Sequence, residues 1–104
     1  MRTVRATIHL YTASQGGRHL PLLAVRPFSC PLYFKGIAEL SCCGRDCRIL
    51  VNDTGQDVYP GETIENLEIA FLSPDSVFPY LNPGAEFYLW EAGYIGNGVI
   101  TEIS

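Results

Sequence analysis

The most constraining feature of this chain is an apolar alternation of period two that turn residues interrupt repeatedly. From Val4 to Leu10, Val4, Ala6, Ile8 and Leu10 alternate with Arg5, Thr7 and His9, the signature of a strand with one face in a core and one in water. A second alternation runs around Leu67, Ile69 and Phe71, and a third around Phe87 and Leu89. The tail is expected to set Val99, Thr101 and Ile103 on one side. Weaker strand signals lie at Ser29 to Lys35, Ile37 to Cys42 and Arg48 to Val51. Turn chemistry separates them: Gly16-Gly17, Asn52-Asp53-Thr54-Gly55, Pro60-Gly61, Ser73-Pro74-Asp75 and Asn82-Pro83-Gly84. No segment shows a helical period beyond a short turn over Asp75 to Leu81, where Val77, Phe78 and Leu81 face the core and Pro79 limits the length. Several short strands with frequent turns predict an all-β sandwich or barrel.

At 104 residues the chain is expected to form one domain, spanning residues 1–104, with a single core and no metal needed to hold it. Hydrophobic residues make up 47% and charged ones 17%, the balance of a chain that folds. The net charge of −4 and the absence of any basic run argue against nonspecific attraction to phosphate backbones. The first residues intersperse charge with apolar side chains and contain no secretory-type apolar run, so we expect a cytoplasmic protein that does not associate with membranes.

Four short motifs in order carry a resemblance to a known family. Gly16-Gly17-Arg18-His19-Leu20-Pro21 is followed by Arg26-Pro27 and an aromatic strand with Tyr33-Phe34. A Pro60-Gly61-Glu62 turn comes next, then Gly84-Ala85-Glu86-Phe87-Tyr88-Leu89 and the glycine-spaced ending Glu91-Ala92-Gly93-Tyr94-Ile95-Gly96-Asn97-Gly98. The set resembles the C-terminal, third domain of bacterial elongation factor Tu. That resemblance implies a small antiparallel six-stranded Greek-key β-barrel standing apart from any nucleotide-binding domain. It also implies partners: in the family this domain contacts the T-stem of aminoacyl-tRNA, the nucleotide-exchange partner and the GTPase domain. By position, Arg18 and His19 match the family's Arg-His pair near the tRNA backbone, and Glu91 with Ala92 matches its Glu-Gly pair. The chain departs from the family at Gly36-Ile37, where the family carries Thr-Thr.

The residues point away from several kinds of chemistry. There is no Gly-x4-Gly-Lys-Ser/Thr loop, and the single lysine, Lys35, falls on a strand, so GTP binding is not expected. His9 and His19, the two histidines, belong to no catalytic motif, and we expect no catalytic residues, no cofactor and no metal. Cys42-Cys43-Gly44-Arg45-Asp46-Cys47 lacks the paired spacing of a zinc site and is expected to be a hairpin with its turn at Gly44-Arg45-Asp46 and one thiol facing solvent. A disulfide from Cys42 or Cys43 to Cys47 is the alternative. Gly93, Gly96 and Gly98 in the last strand suggest a bulge or a close backbone approach.

Outward aromatics are the main functional signal. Tyr88 and Trp90 alternate with Phe87 and Leu89, and Tyr94 follows closely, so a Tyr-Trp-Tyr cluster is expected either on the surface or beneath an extra loop over Ser41 to Asp57. The expected function is non-enzymatic protein binding through Arg18, His19, Tyr88, Trp90, Glu91 and Tyr94, as a mimic or immunity-like decoy of the factor it resembles. The alternatives are a tRNA-binding accessory module and a piece of a longer translation-factor-like protein.

Overall fold

A computed structural model describes residues 2–103. Six strands close into an antiparallel barrel: β1 Val4–Leu10, β2 Phe28–Lys35, β3 Arg45–Ile49, β4 Thr63–Phe71, β5 Glu86–Trp90 and β6 Tyr94–Ile103. Around the barrel the order is β1-β4-β3-β2-β5-β6. The run β2, β3, β4 with β1 returning beside β4 is consistent with a Greek key.

The alternation in β1 is realised residue for residue: Val4, Ala6, Ile8 and Leu10 are buried, and they lie between β4 on one side and β6 on the other. Leu32 and Phe34 from β2, Cys47 and Ile49 from β3, Leu67, Ile69 and Phe71 from β4, and Phe87 and Leu89 from β5 complete the inner face. One end of the barrel is closed by the loops after β1 and β3, which meet at a bridge with reciprocal backbone bonds between Leu22 and Val58 of 2.8 and 2.9 Å. At the other end, short 3-10 turns at Pro74–Ser76 and Phe78–Tyr80 bury Val77, Phe78 and Leu81, as expected for the core-facing residues of that segment.

Bulges shape the barrel at three places. Between Ala6 and Ile8 the β4 strand carries an extra residue, and Asn66 takes φ 60, a left-handed conformation that asparagine tolerates. Trp90 pairs with Tyr94 whereas Leu89 pairs with Gly96, which leaves Ile95 as an inserted, buried residue. Arg5 pairs with Glu102 and Ala6 with Ile100, so Thr101 is extra and its hydroxyl donates to the Arg5 carbonyl at 3.1 Å. This last bulge corrects the expected phase of the tail. Ile100 is the residue wholly in the core, and Ile103 returns to pack against it only because Thr101 resets the alternation.

The region from Gly36 to Asp46 also differs from expectation. Residues 37–43 form a looped turn and no strand. Gly36, at φ 75, ends β2, and the apolar stretch that read as a strand serves to drop Leu40 into the end of the barrel, where it has no solvent exposure. Arg45 and Asp46, expected to be turn residues, are already in β3, opposite Leu32 and Pro31. Two thiols face solvent instead of one: Cys42 and Cys43 are exposed, while Cys47 is buried opposite Cys30.

Candidate interaction surface

Two features occupy the outside of the barrel near the β5–β6 turn. The first is aromatic. On β5 the residues Phe87 and Leu89 point inward, so Tyr88 and Trp90 point out, and the β5–β6 turn brings Tyr94 directly opposite Trp90. On β2 the same alternation buries Leu32 and Phe34 and turns Tyr33 outward, opposite Tyr88. The four rings form one cluster. Trp90 and Tyr94 meet edge to face at 5.2 Å and 83°, Tyr88 and Tyr94 lie 5.2 Å apart, and Tyr33 sits edge-on to Trp90 at 6.0 Å and to Tyr94 at 6.1 Å. These are favourable quadrupolar arrangements, so each ring holds its neighbours in place. Trp90 keeps 38% of its surface exposed and Tyr94 48%. The β2–β3 loop does reach this region, since a Cβ on Gly44 would stand 3.1 Å from the Tyr33 ring, yet it leaves Trp90 and Tyr94 open to solvent.

The second feature is a groove of about 360 Å³ lined by Arg18, Leu20, Leu23, Arg26, Phe28 and Glu91, among others. Arg18 comes from the β1–β2 loop and Glu91 from the β5–β6 turn, both at the end of the barrel where β1 and β5 finish. Arg18 Nη1 donates to both carboxylate oxygens of Glu91, at 2.6 and 2.7 Å, and Arg18 Nε donates to the Leu20 carbonyl at 3.1 Å. The guanidinium also lies 5.1 Å from the Phe28 ring centre. Arg18 is thus fixed from three sides, and its charge is balanced by Glu91. Leu20 is 69% exposed at the groove's rim, with exposed His19 beside it.

The structure therefore gathers the six residues singled out in the sequence into two neighbouring groups, Arg18–His19–Glu91 and Tyr88–Trp90–Tyr94, joined where Glu91 follows Trp90. It adds Tyr33, whose parity within β2 opposite to Leu32 and Phe34 was the available signal, and Arg26, which stood out in the sequence only as part of the Arg26-Pro27 motif.

The cysteines form two pairs of different character. Cys30 and Cys47 oppose each other across β2 and β3, and Cys47 Sγ donates to the Cys30 carbonyl at 3.3 Å. The interaction with the Cys30 thiol, and then burial, push the Cys47 thiol well above its ordinary value of 9.0. The exposed Cys42 and Cys43 thiols lie 3.5 Å apart, and their mutual hydrogen bond raises Cys43. Among the described residues, no group of three or more His, Cys, Asp and Glu side chains converges in the manner of a metal site.

No protein-family model matches the chain, and no curated protein matches it in sequence.

Proposed function

We propose that this barrel is a non-enzymatic protein-interaction module, similar to the third domain of elongation factor Tu, that binds a protein partner through the Tyr33–Tyr88–Trp90–Tyr94 face and acts as a mimic or decoy of that factor. The observation that carries this reading is the outward-facing four-ring cluster spanning three strands, in which Trp90 and Tyr94 are exposed and Tyr33 and Tyr88 half-buried. Pre-packed Tyr and Trp side chains lose little conformational freedom on binding and supply most of the energy at protein interfaces. The Arg18–Glu91 pair favours a protein over tRNA as the partner, because a guanidinium already neutralised by a carboxylate has little charge to offer a phosphate.

Competition is the direct test. The barrel is titrated against elongation factor Tu for that factor's nucleotide-exchange partner and, separately, for aminoacyl-tRNA. The reading expects displacement of the protein partner with weak salt dependence, and a loss of about 10-fold or more in affinity on Trp90→Ala. No displacement at large excess refutes the mimicry. Displacement of tRNA that weakens steeply with salt and with Arg18→Ala replaces it with the nucleic-acid reading.

A further inference from the structure

Cys42 and Cys43 are adjacent, both exposed, with their sulfurs 3.5 Å apart. Adjacent residues in a strand direct their side chains to opposite faces, so a contact between neighbouring thiols requires a turn. The β2–β3 loop provides one. Arg45 Nη2 lies 4.0 Å from Cys42 Sγ and donates to the Glu39 carbonyl at 2.9 Å, while Arg45 Nε is buried with no hydrogen-bond partner. A cation with unspent donor capacity thus stands beside one sulfur of the pair. We propose that Cys42 and Cys43 form a vicinal dithiol site that is reversibly oxidised to a disulfide by low-molecular-weight disulfides.

The reaction balances without any other reagent. Cys42 loses its proton to solvent, and its sulfur, beside the Arg45 guanidinium, attacks one sulfur of R–S–S–R, forming a Cys42–S–S–R bond and expelling RS⁻. Cys43 then loses its proton to solvent and attacks Cys42 Sγ, which closes the Cys42–Cys43 disulfide and expels the second RS⁻. The two protons released by the protein thiols leave both departing groups as RSH, and the two electrons lost by the cysteines are those that reduce the reagent. The division of roles follows from the geometry, since Arg45 Nη2 stands 4.0 Å from Cys42 Sγ. The bond so formed is readily reversed, because neighbouring Cα atoms stand about 3.8 Å apart, less than unstrained disulfides prefer.

The experiment uses the full chain, reduced and then incubated with oxidised glutathione, with the products mapped by intact and peptide mass spectrometry. The expected product is two hydrogens lighter than the reduced chain, with the change confined to Cys42 and Cys43 and reversed by dithiothreitol. Ring closure is intramolecular, so the closed form exceeds the glutathione adduct by about 10-fold or more. Cys43→Ser, a change at an exposed loop position, halts the reaction at a glutathione adduct on Cys42. Accumulation of the adduct on the unsubstituted chain, a bridge mapping to Cys47, or a disulfide-linked dimer each overturns the proposal.

Discussion

Replacing Gly98 by alanine tests the packing that gives the barrel its curvature. Gly98 lies directly opposite Phe87 in the β5–β6 pairing, and the phenyl ring folds over it. A methyl group there would stand 2.5 Å from Phe87 Cζ, 2.8 Å from Cε1 and 2.7 Å from the Thr7 carbonyl oxygen. Carbon atoms in contact settle at about 3.5–4.0 Å, so the ring must retreat by roughly 1 Å. It has nowhere to go: Phe87 is buried and packs at 5.8 Å against Phe34, which packs at 6.0 Å against Phe71, which meets Phe78 at 6.0 Å. Thr7 is held in the β1–β6 ladder and does not yield either. The penalty therefore falls at the upper end for overpacking, about 3 kcal/mol. For a domain of this size that lowers Tm by roughly 12–20 °C.

Thermal and urea unfolding followed by circular dichroism measure the effect, with Gly36→Ala as reference. Gly36 has φ 75 and open space around it, so alanine there bears only backbone strain, about 1 kcal/mol. Combining Gly98→Ala with Phe87→Leu removes the clash with the ring but leaves the one with Thr7, so the double variant should be less destabilised than the sum of the single ones by about 1 kcal/mol. A Gly98→Ala protein no less stable than Gly36→Ala would refute the ring-over-glycine packing.

Three further outcomes are expected. Arg18→Ala and Glu91→Gln should each lower stability by about 0.5–1 kcal/mol in dilute buffer and by less in high salt, since the pair is partly solvated; urea denaturation at two ionic strengths decides, and a loss independent of salt would contradict the ion-pair account. Stability should decline as pH rises past about 9, because the unfolded Cys47 thiol then ionises while the folded one keeps its proton; below that pH both states are protonated and this contribution is constant. The slope reaches at most about 1.4 kcal/mol per pH unit for this thiol and should diminish in Cys47→Ala, which denaturant titrations from pH 7 to 10 would show. Leu40→Ala should cost about 2–4 kcal/mol although Leu40 lies in a loop, because its side chain is fully enclosed in the barrel end; a loss below 1 kcal/mol by the same unfolding assay would show that the loop does not seal the core.

What could be read beforehand divides by range. The inner faces of β1, β4 and β5 were legible because each is written in consecutive alternating residues, and the pleat converts that pattern directly into a buried face. Ile37 to Cys42 misled because Leu40 is apolar for a different reason: it plugs a barrel end, and a plug has no periodicity. The tail misled because the extra residue at Thr101 is silent in the sequence, and one inserted residue exchanges the two faces. At the candidate surface, the exposure of Trp90 followed from parity within β5. The Arg18–Glu91 contact joins residues 73 positions apart, and both were singled out through family likeness without any sign that they pair.

The closed order of the six strands limits how such a protein can be recognised. Every strand has a hydrogen-bonded neighbour on each side, so no strand is open along its whole length, and what stays unpaired is short, as where β4 meets β3 only over Ile69–Phe71. A binder gains little by lining up its backbone, and most of its affinity has to come from side chains. For the mimic proposed above that is an advantage: outer residues such as Trp90 can be exchanged to retune recognition while the ladder that holds the fold stays untouched.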